Sequence, residues 1–257
     1  MPLIEMDIEN LEKEHICCAI SDKKGESCVA AKKTWMKEAF EKGLVFKKLD
    51  VRGKVFIEYI PAENAWAPIE APNYMYINCF WVSGQYKGQG YANNLLESCI
   101  RDAKEKGKVG LVILSSEKKM PFLSDPKYLK YKGFKVCDIA APYFELLYFP
   151  FDESAELPKF KAQAKTGEVR EKELVFYYTH QCPHTVKYVP IVSNLAKKHG
   201  FDVIVHHLTD IEMAQNAPTP FTTYSIYWNG KFVTNEILSE KRFEKLFLTG
   251  NKELELM

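Results

Sequence analysis

Residues Met75 to Leu96 read MYINCFWVSGQYKGQGYANNLL, and this stretch decides the fold. An apolar, β-branched and aromatic run from Met75 to Val82 ends in the turn-formers Ser83, Gly84 and Gln85. Gly88 and Gly90 follow, then an amphipathic segment carrying Leu95, Leu96, Cys99 and Ile100. The pattern predicts a strand, a glycine-bearing loop and a helix. At such a junction the first helical N–H groups lack intrahelical acceptors, and the helix dipole favours an anion in front of them. Glycine lets a phosphate approach the backbone closely, because no Cβ stands in the way.

The spacing separates three kinds of phosphate site. No GxxxxGK[ST] string occurs, and Gly88-Gln89-Gly90-Tyr91-Ala92-Asn93 lacks the third glycine of GxGxxG. Lys87-Gly88-Gln89-Gly90-Tyr91-Ala92 resembles the [RQ]xxGx[GA] signature of the GNAT N-acetyltransferases, with Lys87 where that family has Arg or Gln. Lysine keeps a cation near the phosphates but loses the planar fork of hydrogen bonds. The resemblance implies acetyl-CoA as co-substrate, with its pyrophosphate on Lys87, Gly88, Gln89, Gly90, Tyr91, Ala92 and Asn93. It also implies pantetheine along Phe80, Trp81 and Val82, near Leu114 and Ser115, where two strands splay apart.

Composition sets bounds on the rest. A chain of 257 residues suits about two domains. A net charge of +1 gives no reason to expect nucleic acid or another polyanion. No apolar run approaches the ~20 residues of a membrane span, and no signal-peptide core follows Met1. Seven scattered cysteines form no framework, so reduced thiols and a cytoplasmic location are expected. Cys17, Cys18 and Cys79 read as core filler.

Residues 152–172 are polar, hold Pro and Gly, and lack an apolar period, so they read as a linker between units at 1–151 and 173–257. Upstream, strands are expected at Ile16–Ile20, Leu44–Leu49, Val55–Ile60, Gly110–Ser115, Phe134–Val136 and Phe144–Phe149. Helices are expected at Ala30–Lys42 and Asp125–Tyr131. The class is α/β, a mixed sheet with helices on both faces, and the order of elements is similar to the GNAT acyl-CoA N-acyltransferase fold.

Downstream the reading is a strand at Leu174–Tyr178, a helix to His199, a strand at Val203–Leu208 and strands at Thr223–Trp228 and Lys231–Thr234. Asn229-Gly230 makes the last two a hairpin, and a final helix opens at Ser239. This order resembles a minimal thioredoxin or glutaredoxin fold, which implies a nucleophilic thiol at Cys182 and a cis-proline at Pro220. The tandem resembles bacterial GNAT proteins carrying a YoaP-like C-terminal domain.

Two chemistries follow. In acetyl transfer an uncharged amine, from a small-molecule or peptide acceptor, attacks the thioester while a base removes its proton. Tyr76 stands where some GNAT relatives place a glutamate, and Leu129 stands at the tyrosine of the family's YxxxGF string. Tyr128 and Tyr131 lie close in sequence, but on a helix they point elsewhere. Glu58 is the best alternative base, although a solvent-facing role is the plainer reading for it. In the second chemistry, Cys182 at a helix N-terminus would have a lowered thiol pKa. Thr185 in place of a second cysteine leaves at most monothiol chemistry, and the module could instead recognise substrate, with a regulatory CoA site. His206 and His207 face opposite sides of a strand and no ligand spacing occurs, so no metal is expected.

Overall fold

A computed structural model describes residues 2–16 and 26–249. The strand expected at Ile16–Ile20, with Cys17 and Cys18, falls largely outside the described residues.

The chain begins with β1 (Leu3–Glu5), α1 (Glu26–Phe40), β2 (Val45–Leu49), β3 (Val55–Pro61) and the two-residue β4 (Ile69–Glu70). The quoted stretch forms β5 (Tyr74–Val82) and α2 (Tyr91–Glu105), followed by β6 (Gly110–Ser116), α3 (Pro126–Tyr131), β7 (Lys135–Ala140) and β8 (Phe144–Pro150). Seven strands make one sheet in the order β1-β2-β3-β5-β6-β8-β7. All its pairings are antiparallel except β5 with β6, so the sheet is mixed as the sequence implies.

Alternation along the strands gives the sheet two buried faces. On one, Leu95, Leu96, Cys99 and Ala103 of α2 pack on Met75, Ile77, Leu111 and Ile113. On the other, Trp35 and Met36 of α1 pack with Phe46, Phe56, Ile60 and Tyr76. The i, i+4 spacing of the α2 residues provides the apolar stripe that this face needs.

Residues 152–172 contain β9 (Lys159–Phe160), which pairs antiparallel with β4, and a 3-10 turn at Ala162–Ala164. The second half then runs β10 (Leu174–Tyr178), α4 (Pro183–Lys198), β11 (Val203–His207), α5 (Ile211–Gln215), β12 (Tyr224–Trp228), β13 (Lys231–Thr234) and α6 (Glu240–Phe243). Its four strands order as β11-β10-β12-β13, with β10 and β11 parallel and the rest antiparallel. Positive φ at Asn229 and Gly230 (52° and 81°) makes the turn read from the sequence. Among the described residues the cis peptide precedes Pro142, and the Thr219–Pro220 bond is trans. The cis-proline implied at Pro220 is therefore a correction.

The two halves share one core. Val175, Tyr177, Tyr227 and Phe232 belong to the same buried cluster as Trp35, Trp66 and Phe144. Phe232 meets the ring of Phe144 edge-on at 5.4 Å, and the Tyr143 hydroxyl donates to Asn235 Oδ1 at 2.7 Å. Asn235 Nδ2 in turn donates to the Pro121 carbonyl at 2.8 Å, and Thr222 donates to the Trp66 carbonyl. Helix α1 packs against α4, which brings Cys182, the N-cap residue of α4, toward the first sheet.

Candidate functional site

The loop between β5 and α2 holds three left-handed glycines, Gly84, at φ of 59°, among them. Gly88 and Gly90 have φ of 76° and 82°, and Gly90 is the N-cap of α2 with no side-chain cap. L-residues enter this region only with strain, so glycine is the residue that fits. A Cβ at Gly84, Gly88 or Gly90 would meet nothing within 4 Å, so the loop faces open space. Among the described residues, no backbone N–H from Gly88 to Asn93 has a protein acceptor. Lys87 is exposed, and it makes no ion pair among the described residues. An uncapped helix start, an open loop and a nearby cation together suit a pyrophosphate.

A cleft in the sheet runs up to this loop. Strands β5 and β6 pair only from Tyr74 and Gly110 to Ile77 and Ile113. Beyond that point the rest of β5 stays with β3, and Leu114–Ser116 stay with β8. The parting coincides with a bulge, since Ile77 faces Tyr59 and Cys79 faces Glu58, leaving Asn78 extra. Bulges bend a strand and end pairing. Peptide groups on the two parted edges keep hydrogen-bonding capacity for an extended ligand. Phe80, Trp81 and Val82 lie on this edge, and Trp81 is 42% exposed.

Tyr128 sits over the cleft, contrary to the helix-direction argument made from sequence. Its ring meets Phe80 edge-on at 5.7 Å and its hydroxyl donates to Asn93 Oδ1 at 3.1 Å. Burial pushes its phenol up to about 12, so it holds its proton. Helix α3 is six residues long, and contacts with Phe80 of β5 and Asn93 of α2 fix where Tyr128 goes. Tyr131, by contrast, is 84% exposed and stands apart from the cleft.

On the opposite face of the sheet a cavity of about 80 Å³ is lined by Lys32, Glu58, Tyr76, Asn78, Cys79, Cys182 and Pro220, among others. Three of the catalytic candidates, Glu58, Tyr76 and Cys182, thus come together. Glu58 is not solvent-facing; it is 1% exposed and its Oε2 accepts from the Lys32 ammonium at 2.5 Å. Its other oxygen accepts from Asn78 Nδ2 at 3.3 Å. The strand turns Glu58 to the α1 face along with Phe56 and Ile60, and only α1 could reveal its partner. Tyr76 is buried, and desolvation holds its phenol well above the ordinary value.

The expectation of an acidic thiol at Cys182 is also corrected. Burial pushes this thiol up, outweighing backbone N–H donation from His184 and Thr185 and the Lys32 charge. Thr185 is buried, and its hydroxyl donates to the carbonyls of Thr179 and Cys182, both at 2.7 Å, so it locks the start of α4. No group of His, Cys, Asp or Glu among the described residues could hold a metal ion. No helix among them is long and apolar enough to cross a membrane.

The family model described as acetyltransferase (GNAT) family matches residues 9–122, and one described as YoaP-like matches residues 204–245. The chain is 46% identical to the uncharacterized N-acetyltransferase YoaP of Bacillus subtilis (strain 168), over 97% of this chain and 99% of that protein. It is also similar to the structure of the PaiA N-acetyltransferase of Thermoplasma acidophilum in complex with coenzyme A. That match has 17% identity, TM-score 0.40, and covers 59% of this chain and 100% of the other. A GNAT family acetyltransferase of Brucella melitensis in complex with acetyl-CoA matches at 14% identity and TM-score 0.38, over 63% and 96% of the two chains.

Proposed function

The chain belongs to the GNAT family of N-acetyltransferases, and on that premise we propose that it moves acetyl from acetyl-CoA to an amine held in the Glu58 cavity. The observation that carries the reading is the run of unpaired N–H groups from Gly88 to Asn93, at the end of a strand that parts from its neighbour. Glycines with open space around them, and Lys87 beside them, fit a pyrophosphate. The edge at Phe80–Val82 fits pantetheine amides. Acetyl-CoA supplies an activated acetyl thioester when bound.

The chain's own residues divide the remaining work. Glu58 takes the proton of the attacking amine, directly or through a water, while Lys32 and Asn78 fix its two oxygens. Tyr128 keeps a proton at its hydroxyl beside the cleft for the sulfur that leaves. Tyr76, buried and neutral, shapes the wall. In this reading residues 1–151 hold the cofactor, 152–172 connect, and 173–257 form a thioredoxin-like unit in a cytoplasmic protein. That unit walls the acceptor cavity through Cys182 and Pro220 and performs no redox cycle. The raised thiol pKa supports the wall over thiol chemistry.

The test is a calorimetric titration of the full chain with acetyl-CoA and, separately, CoA, followed by thiol release with a panel of amines. Micromolar binding with amine-dependent release supports the reading. Absence of binding to folded protein overturns it.

A further inference from the structure

One residue around the Glu58 cavity has a backbone conformation that its side chain disfavours. Three non-glycine residues among those described have positive φ: Asn73 at 62°, Phe122 at 62° and Asn229 at 52°. Asparagine enters the left-handed region readily, whereas a bulky aromatic residue is an outlier there. Such strain persists only where the surroundings over-determine it, and it gathers at functional sites.

The surroundings of Phe122 meet that condition. It lies in the connection between β6 and α3, which is tied down at both ends. The Ser116 hydroxyl donates to the Lys118 carbonyl at 2.6 Å, and the Ser115 hydroxyl donates to the Ser124 carbonyl at 2.9 Å. Met120 and Leu123 pack into the core on either side of Phe122. Between them the Pro121 carbonyl accepts from Asn235 Nδ2 at 2.8 Å. Asn235 follows β13 in the second half, is 1% exposed, and is itself fixed by the Tyr143 hydroxyl. A change of φ swings Cβ around the chain, so this braced left-handed backbone aims the ring where an ordinary φ would not.

The ring stands at the rim of the cavity. Of the residues lining it Phe122 alone is exposed, at 42%, whereas Lys32, Glu58, Tyr76 and Pro220 are buried. An exposed residue that also lines a cavity sits where the cavity meets solvent. The space behind it is small, about 80 Å³, so the breadth of the opening decides what enters.

We propose that Phe122 is the specificity-determining residue of this cavity, a fixed aromatic gate that limits the width of the group reaching Glu58. Asn235 is its positioning residue, which gives the second half of the chain a hold on entry. The inference rests on the acetyl-transfer reading for what that group is, and on nothing else in it.

Cys79 and Cys182 line the same cavity and serve as reporters. The full chain is treated at pH 9 with methyl methanethiosulfonate and, separately, with benzyl methanethiosulfonate, a slim and a broad reagent of one chemistry. Peptide mapping then gives the rate at each thiol. The ratio of slim to broad rates is expected to fall about tenfold in Phe122→Ala and Phe122→Gly, at both cysteines. Phe122 is exposed, so these variants keep the fold. Asn235→Ala should lower the ratio with the ring still present, and if that variant does not fold, the Phe122 pair decides. Strain at φ of 62° also predicts that Phe122→Gly melts above Phe122→Ala, the reverse of the order at an ordinary position. Equal ratios in the unaltered protein and the Phe122 variants, or thiols inert in all of them, overturn the gate. An acetyl-CoA titration run alongside separates the two readings. A width-dependent ratio without acetyl-CoA binding keeps the gate and removes acetyl transfer, and acetyl-CoA binding with equal ratios removes the gate alone.

Discussion

Lys32 and Glu58 form an ion pair of 2.5 Å in which each partner is 1% exposed, and the pair sits at the wall of a cavity lined by both halves of the chain. Lys32 Nζ also lies 4.3 Å above the Trp35 ring, so one ammonium touches both the proposed base and the indole of α1. Removing either charge alone strands the other away from bulk solvent without its counter-charge. Glu58→Gln and Lys32→Met should each cost about 3–5 kcal/mol, and the double substitution should cost less than the sum of the two. Thermal unfolding of the four proteins measures this. If Glu58 is the base, Glu58→Gln also lowers kcat by about 10²–10⁴ while acetyl-CoA binding is kept. A fully active Glu58→Gln protein would remove it from the mechanism.

Gly90→Glu places a carboxylate and a Cβ at a left-handed position in front of α2. The expected cost in stability is only about 1–2 kcal/mol, because the added atoms meet open space. Acetyl-CoA affinity should be lost, through charge repulsion and bulk at the phosphates. Gly90→Ala pays the same backbone strain without the charge, and should keep measurable binding. Equal affinity in all three proteins by calorimetry would sink the phosphate assignment.

Tyr128→Phe removes the hydroxyl that donates to Asn93 and leaves the ring against Phe80. A proton donor to the leaving sulfur predicts a kcat about 100-fold lower with an unchanged dissociation constant for acetyl-CoA. A purely structural tyrosine predicts an unchanged kcat and a small drop in melting temperature. Tyr131→Phe serves as the comparison and should change neither.

Cys182 should behave as a protonated thiol at neutral pH. Its alkylation rate in the folded protein, followed by peptide mapping, is expected to keep climbing through pH 9. A plateau below pH 8 would restore the thiolate and with it the redox reading.

The rings of His180 and His207 lie 4.1 Å apart and tilted by 37°, and each is held below its ordinary pKa, mainly by burial. Below about pH 6.5 the unfolded chain takes up protons that the folded chain resists. Stability is therefore full above that pH and is lost as pH falls through the lower, folded-state values. Replacing both histidines with Gln should flatten the decline in melting temperature between pH 7 and 5.

What the sequence disclosed follows the range of the interactions concerned. The glycine loop, the α2 stripe and the Asn229-Gly230 turn are local, set by residues a few positions apart, and they read directly. Two short elements, α5 and the β4–β9 pair, gave no periodic signal because they are too brief for one. The side chains around the proposed chemistry depend on distant partners. Glu58 reads as exposed until α1 brings Lys32 over it, and Tyr128 reads as misdirected until β5 and α2 give its ring and hydroxyl a seat. Cys182 has the expected place on a helix N-terminus, but the sheet it faces reverses its acidity.

The shared core has a consequence for synthesis. Phe144 is part of the first sheet, and the ring that covers it, Phe232, comes near the end of the chain. At ~5–20 residues per second, a ribosome needs about 4–18 s to travel between those two codons. Through that interval the nascent sheet carries an uncovered aromatic wall, with Trp66 and Tyr143 on it. Rare codons, holdase chaperones and temperature then act on how long the wall waits, and yield in expression should track that delay.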